Sequence, residues 1–223
     1  MTLARPIAAV SSHVRPRFHM RGMMPLLCLL LAATLAACGG GRRATPVRSA
    51  FDLPPAACTS ALRHFTPVPR PAPALGRGAC SVPAPVRLEA GFRPPVTTAC
   101  GMALAWLSFA PEAQRLARRE LGSAIVEVRH FGSYACRRMT GNGRRMSLHG
   151  SARALDVAGF VLADGRVVDV EDDWGDWNDK GDFLEDLARA ACDHFSVVLT
   201  PAHDRAHRDH IHLDIGPWKL CGA

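Results

Sequence analysis

Acidic residues are missing from the start of this chain, where none precedes Cys38 although four arginines do. A long apolar run is missing too. Residues 24–37, MPLLCLLLAATLAA, fall short of the roughly 20 residues that a transmembrane helix needs. A cationic leader followed by a short apolar stretch that ends in small side chains is typical of a secretory signal. These absences favour export over a membrane span and predict a signal peptide over residues 1–37.

The end of this signal, Leu35-Ala36-Ala37-Cys38, resembles the lipobox of bacterial lipoproteins. In lipoproteins a signal peptidase requires small residues before a cysteine that is then acylated and becomes the first residue of the mature chain. The resemblance implies lipidation at Cys38, with the protein anchored on the periplasmic side of a bacterial membrane. A plain signal peptide with a chance cysteine is the alternative, and Met20 offers a second possible start of translation.

The cysteines contain no C-x-x-C pair, which argues against a zinc ribbon built on thiolates. Cys28 leaves with the signal and Cys38 takes the lipid, so six cysteines remain in the mature domain. An even number of cysteines in an exported chain predicts disulfides. The candidates are Cys58, Cys80, Cys100, Cys136, Cys192 and Cys221.

Six cysteines allow fifteen pairings, and the sequence does not choose among them. Our preferred hypothesis pairs neighbours along the chain, Cys100 with Cys136 and Cys192 with Cys221. The two earlier cysteines are expected to close a small subdomain or to tie their segment to the main domain.

The positive charge is concentrated in the signal. The whole chain has 27 basic and 20 acidic residues, a net charge of +7. Four of the basic residues precede Cys38, so the mature chain has 23 basic against 20 acidic residues, a net charge of +3. This small surplus does not predict a nucleic-acid partner. It suits contact with an anionic envelope polymer, or simply a solvated surface.

Composition divides the mature chain in two. Between Pro46 and Pro95 lie 11 of the 17 prolines, a composition that buries little apolar area. Residues 38–95 are therefore predicted to be a tether with a small disulfide-clipped segment. Residues 96–223 have a globular pattern and the size of one domain.

Apolar periodicity predicts two helices and five strands in this domain. Asp164-Gly165 between two short apolar runs indicates a hairpin. The order of elements predicts an α+β fold with an antiparallel central sheet. The predicted helices span residues 102–121 and 182–195. The predicted strands span residues 124–130, 155–162, 167–170, 196–200 and 211–215.

Two segments contain the residues with metal-binding chemistry. His149 and Asp156 lie seven residues apart, and a turn between them would bring them together. His210 and His212 alternate along a predicted strand and so point to the same side. Two imidazoles and one carboxylate are the ligand set of a catalytic Zn²⁺ site, which leaves the second histidine of the pair as a base or oxyanion stabiliser. Each segment alone is also compatible with structural or surface histidines.

The spacing S-x-H-x-x-(G/A)-x-A-x-D followed by H-x-H resembles the zinc peptidase group of lysostaphin, the D-alanyl-D-alanine metallopeptidases and the hedgehog fold. More closely, the chain resembles the bacterial extensin-like C-terminal domain family over roughly residues 96–222. This resemblance implies a hedgehog-like α+β fold with flanking helices. The matching segments are GSYACR at 132–137, SLHGSARALDVAGF at 147–160 and AHRDHIHLDIG at 206–216.

The resemblance implies a role for several side chains. His149, Asp156 and His212 match the three zinc ligands of the wider peptidase group, and His210 matches the other histidine of its H-x-H. Asp209 lies where some members carry a glutamate general base, although its side chain is one methylene shorter.

Other matches are less close. Arg137, or Tyr134, falls where related enzymes present a polar group to the substrate. The chain departs from the usual pattern at Leu148, where many members have glutamate, and at Ala152, where glycine is usual. Ala152 is tolerated unless its φ is positive.

Together these features predict a zinc metallopeptidase of the cell envelope that acts on peptidoglycan stem peptides, as a carboxypeptidase or an endopeptidase. The first alternative is a non-catalytic envelope lipoprotein whose structural or ligand-binding zinc site binds the wall or a partner. The second alternative is a disulfide-supported scaffold without metal.

Overall fold

The computed structural model describes residues 51, 53–140 and 142–223. They belong to one compact unit, Thr45–Ala223. The predicted signal peptide, the lipidation site at Cys38 and the start of the predicted tether lie outside the described residues. No helix in the described part of the chain is long and apolar enough to cross a membrane.

The described residues form four α-helices and eleven strands. The helices are α1 (Pro55–Leu62), α2 (Cys100–Glu120), α3 (Val170–Asp173) and α4 (Asp179–His194). The first strands are β1 (Arg70–Pro71), β2 (Pro85–Leu88), β3 (Val96–Ala99), β4 (Ile125–Gly132), β5 (Arg138–Met139) and β6 (Asn142–Met146). The later strands are β7 (Ala154–Leu162), β8 (Val167–Asp169), β9 (Val197–Leu199), β10 (Ile211–Asp214) and β11 (Leu220–Gly222).

The main sheet has six strands in the order β11-β9-β10-β7-β4, with β8 paired to β7. All its pairs are antiparallel except β11 with β9. The predicted α+β class with an antiparallel sheet is therefore confirmed. The hairpin around Asp164-Gly165 is confirmed as well, because β7 and β8 flank it.

The core lies between this sheet and the helices α2 and α4, which pack against each other. Phe160 of β7 meets Phe183 of α4 edge to face, with ring centroids 5.6 Å apart. The Asn178 side chain caps α4 by accepting hydrogen bonds from the amides of Lys180 and Gly181, which explains why this helix begins before the apolar periodicity does.

Residues before 96 contribute to the same core, so the predicted tether is too long. Helix α1 and a three-stranded sheet, β1-β2-β3, precede α2. Leu62, Val86 and Phe92 are buried, and the Phe92 ring lies 5.3 Å from the ring of Trp106. Proline-rich composition gave no sign of this packing, because short strands and scattered apolar residues supply the buried surface.

Two disulfides hold this N-terminal segment to the rest of the domain. Cys58 of α1 bonds to Cys100 at the start of α2, and Cys80 bonds to Cys136. The predicted Cys100–Cys136 pair is therefore wrong, whereas the expected attachment of the two early cysteines is found. The Cys192–Cys221 pair is confirmed, and it joins α4 to β11.

Candidate metal centre

His149 lies in a short 3₁₀ turn, Leu148–Ser151, that connects β6 to β7. The Ser147 side chain caps this turn by accepting a hydrogen bond from the His149 amide at 3.3 Å. The His149 carbonyl accepts hydrogen bonds from the amides of Ala135 and Ala152. These bonds fix the backbone of a residue that is only 3% exposed.

Asp156 and His212 lie on neighbouring strands, directly opposite each other in the register of β7 and β10. Their strand neighbours Leu155, Val157, Ile211 and Leu213 are buried in the core. Because side chains alternate along a strand, the core residues point to one face and the two candidate ligands to the other. The register that buries the core therefore also pairs the carboxylate with the imidazole.

The three predicted ligands meet in one cluster. His149 Nε2 lies 3.2 Å from His212 Nδ1 and 3.2 Å from Asp156 Oδ2, and His212 Nδ1 lies 2.9 Å from Asp156 Oδ1. A tetrahedral zinc with bonds of about 2.0–2.1 Å separates its donor atoms by about 3.3 Å. The two nitrogens lie at about this spacing. One donor atom from each of the three residues lies within 4.8 Å of the others, so the group could hold such an ion. Within the described residues no other group of three His, Cys, Asp or Glu side chains brings its possible ligand atoms within 4.8 Å of one another.

Hydrogen bonds to the far sides of both rings orient the donor atoms. His149 Nδ1 lies 3.0 Å from the Ser133 carbonyl, which can only accept, so Nδ1 carries the proton and Nε2 offers its lone pair. His212 Nε2 lies 3.4 Å from Asp214 Oδ2. Metal-binding histidines usually donate their second N–H to a carbonyl or carboxylate in this way. Both imidazoles are therefore held as metal ligands would be.

Asp214 was not singled out in the sequence, although it is buried and positioned by the Gly216 amide, which donates to Oδ1 at 2.8 Å. A signal for it existed, because residues two apart in a strand share a face. Ser133 gave no such signal, since it acts through its backbone carbonyl.

The electrostatics of the cluster favour a negative carboxylate beside a positive ring. Burial acts to raise the pKa of Asp156, but hydrogen bonds and charge from His149 and His212 outweigh it and hold that pKa well below its usual range. Burial acts to lower the pKa of His212, but the carboxylates of Asp156 and Asp214 raise it to about 9. A cation is therefore strongly favoured at this position, whether it is a proton or a metal ion.

His210 lies just before β10 and faces the same carboxylate. Its Nε2 is 3.6 Å from Asp156 Oδ1, and its Nδ1 is 2.8 Å from Asp209 Oδ1. The hydrogen bond to His210 lowers the pKa of Asp209, which keeps that carboxylate ionised. Asp209 thus lies behind His210, where it can orient the imidazole rather than face the three ligands itself.

The His207 ring lies close to the rings of His210 and His212 and is tilted to both. Its ring centroid lies 5.2 Å from that of His210 and 5.8 Å from that of His212. Its Nδ1 pairs with Asp204 Oδ1 at 2.8 Å. Burial lowers the pKa of His207 more than Asp204 raises it, which favours a neutral ring. His207 therefore helps to enclose the candidate site without adding charge to it.

The side chains of Tyr134 and Arg137, the alternatives for a polar group that faces the substrate, form no polar contact with the three ligands. The Tyr134 hydroxyl donates to the Cys80 carbonyl at 3.2 Å. Arg137 is exposed, and its guanidinium lies 3.5 Å from Thr140 Oγ1, with no hydrogen bond or ion pair to the three ligands. Neither side chain is part of the cluster.

Ala152, between the first two ligands, adopts φ +51° and ψ +32°. It is the one non-glycine residue with positive φ in the described ranges. The positive φ makes alanine unfavourable at this position, at a cost of about 1–2 kcal/mol. Its carbonyl accepts hydrogen bonds from the Ala99 amide and the Thr98 hydroxyl, both at 2.9 Å, which hold the strained turn in place.

The fold and the cluster define a class: a disulfide-bonded α+β domain with a His–Asp–His group that can hold a metal ion. The family model for the extensin-like protein C-terminus matches residues 56–222, about three quarters of the chain. The protein therefore belongs to the extensin-like C-terminal family. No curated protein and no solved structure gives a significant match. The matched range starts in α1, which agrees with the early start of the folded domain.

Proposed function

We propose that this protein is a zinc metallopeptidase of the bacterial cell envelope that hydrolyses peptide bonds in peptidoglycan stem peptides. One observation carries the proposal: His149 Nε2 and His212 Nδ1 lie 3.2 Å apart, and each lies within 3.2 Å of one of the two Asp156 carboxylate oxygens, with both imidazoles oriented by hydrogen bonds to their other nitrogens. The donor set of two imidazoles and one carboxylate is that of catalytic rather than purely structural zinc sites.

His149 Nε2, His212 Nδ1 and an Asp156 oxygen would hold the ion. A zinc ion in such a site supplies an activated water and polarises a carbonyl. His210 presents Nε2 toward the same carboxylate while Asp209 holds Nδ1. An imidazole held in this way can accept a proton from water and return it to a leaving amine. Asp209 is then a positioning residue.

The kinship of this site with the lysostaphin and D-alanyl-D-alanine peptidase group is part of the proposal. It is supported by the order of the ligands along the chain and by the H-x-H pair, of which the second histidine lies in the cluster. The envelope location, the lipid anchor at Cys38 and the choice of peptidoglycan peptides are supported by the N-terminal sequence and by the three disulfides, which suit an oxidising compartment.

The test compares the full chain with three single variants, His149→Ala, His212→Ala and His210→Ala. His64→Ala is the matched control, because His64 is an exposed histidine two residues after α1 and forms no hydrogen bond or ion pair with the three candidate ligands. Each purified protein is loaded with one equivalent of zinc, dialysed, assayed for bound metal and incubated with purified muropeptides. Products are identified by mass spectrometry.

We expect the wild type and the control to retain zinc and release peptide or amino-acid products. The ligand variants should lose both zinc and activity, whereas His210→Ala should retain zinc and lose turnover. A wild-type protein that retains stoichiometric zinc but cleaves no muropeptide refutes the peptidase and supports a non-catalytic, ligand-binding zinc protein. A wild-type protein that retains no zinc refutes the metal centre.

A further inference from the structure

A hairpin rich in arginine stands next to the metal-binding segment. From residue 128 to residue 155 the chain has six arginines and no acidic residue, whereas residues 156–193 contain 12 of its 20 acidic residues. Four of the six arginines, Arg137, Arg138, Arg144 and Arg145, lie on or beside strands β5 and β6. We name these four residues and the two strands the arginine hairpin.

The charges of the arginine hairpin are not neutralised within the described part of the chain. None of its four guanidinium groups forms an ion pair there, whereas arginines on other elements, such as Arg129 and Arg189, do. Arg137 and Arg138 contact only neutral oxygens, those of Thr140 and of a backbone carbonyl in the hairpin itself. All four side chains are exposed. Positive charge left without a partner in this way is available to an anionic ligand.

An aromatic side chain joins the arginine hairpin to the strand that contains His212. The Arg145 guanidinium lies 4.5 Å from the ring centre of Trp218, which is half exposed. Trp218 follows β10 by four residues. An exposed indole beside a guanidinium offers both a flat apolar surface and a hydrogen-bonding fork to one ligand.

Backbone hydrogen bonds tie the base of the hairpin to the candidate metal centre. The Ser147 amide donates to the Arg137 carbonyl at 3.0 Å, and the Ala135 amide donates to the His149 carbonyl at 3.0 Å. The segment after β10 is close too, because a Cβ added at Gly216 would lie 2.5 Å from a Leu148 methyl. The positive surface therefore has a fixed position relative to the turn that presents His149.

We propose that the arginine hairpin and Trp218 form a substrate subsite that binds carboxylate groups of a peptide whose scissile bond lies at the metal centre. The choice of a peptide ligand rests on the proposed function. Planar guanidinium groups match carboxylates in bidentate geometry. The backbone bonds between the hairpin and the His149 turn favour a ligand that engages both, whereas the surface of a membrane would engage the arginines without involving His149.

The experiment measures binding of the full, oxidised chain to a muropeptide with free carboxylates and to the same muropeptide with its carboxylates amidated. The test variant is Arg144→Gln/Arg145→Gln. The matched control, Arg63→Gln/Arg118→Gln, removes the same charge at exposed arginines that form no ion pair within the described residues. Binding is measured by calorimetry after zinc removal, so that no turnover is needed, and vesicles with anionic lipid form a separate arm.

We expect the test variant to bind the free-carboxylate peptide about tenfold more weakly, because it loses two exposed charge contacts that each contribute modestly to the affinity. The control should bind as the wild type does, and the amidated peptide should not discriminate among the proteins. Trp218→Ala should weaken binding of the same peptide by a smaller factor. Unfolding temperatures and zinc capacity should match the wild type for every variant.

Equal affinity of the test variant and the wild type for the free-carboxylate peptide overturns the subsite. So does a test variant that loses only vesicle binding, which would assign the hairpin to a membrane surface. These outcomes are separate from failure of the proposed function, because a wild type that binds the peptide but never cleaves it refutes the peptidase and leaves the subsite intact.

Discussion

Zinc binding at neutral pH should release a proton from His212. In the metal-free protein the carboxylates of Asp156 and Asp214 raise the pKa of this imidazole to about 9, from an ordinary value of about 6.5. The Nδ1 proton then lies between His212 and Asp156, where the ion would bind. Metal and proton therefore compete for one nitrogen, whereas Asp156 is already ionised and releases none.

The size of the effect follows from the pKa. At pH 7 the ring is protonated about a hundredfold more often than not, so the apparent zinc affinity should rise about tenfold per pH unit and level off near pH 9. The stability of the metal-free protein should instead fall as the pH rises. A raised folded pKa stabilises the fold fully below pH 6.5, and up to about 3 kcal/mol is lost as the pH rises through 9.

Calorimetry in two buffers of different ionisation enthalpy counts the released protons at pH 7, and thermal unfolding with and without zinc from pH 6 to pH 9.5 follows the stability. The His64→Ala protein, which keeps the cluster, should behave like the wild type. A zinc affinity that is flat between pH 7 and pH 9, with no proton released, would refute the placement of His212 Nδ1 as a ligand.

Three further perturbations test the surroundings of the site and the fold. Asp214→Asn removes the carboxylate beside His212 Nε2, and zinc affinity measured by competition with a chromophoric chelator should fall about 10–100-fold. An unchanged affinity would contradict a role of Asp214 in orienting the imidazole. The Cys58→Ser/Cys100→Ser double variant opens a loop with a sequence separation of 42 residues, so the free energy of unfolding measured with guanidinium should fall by about 4 kcal/mol. Phe160→Ala should cost about 3–5 kcal/mol in the same assay, whereas Val126→Ala at an exposed position should cost less than about 1 kcal/mol.

The sequence predicted the elements that have strong periodicity. The helices at 102–121 and 182–195 and the strand at 155–162 appear within three residues of their predicted ends, because long stretches of alternating or helical apolar spacing leave few other solutions. The composition of the N-terminal segment predicts a tether, because its buried residues are scattered among prolines. Two disulfides attach that segment to the rest of the domain, and cysteine spacing alone cannot pair them.

The candidate site was predictable in its ligands and less so in its supporting groups. Residue type and spacing identified His149, Asp156 and His212, because few side chains combine as metal ligands. The role of the Ser133 carbonyl could not be predicted from the sequence, since any residue could supply a carbonyl. The left-handed backbone at Ala152 could not be predicted either, since alanine gives no sign of a positive φ.

The strongest constraint on this site is the register of β7 against β10. Ile211 and Leu213 are each 2% exposed, and a slip by one residue would turn both of them away from the core. The same slip would turn His212 away from Asp156, its register partner. Burial of apolar side chains on one face therefore fixes the donor atoms on the other, and the site needs no flexible loop to bring Asp156 and His212 together. Only His149 reaches the cluster from a turn, and that is where the strained backbone lies.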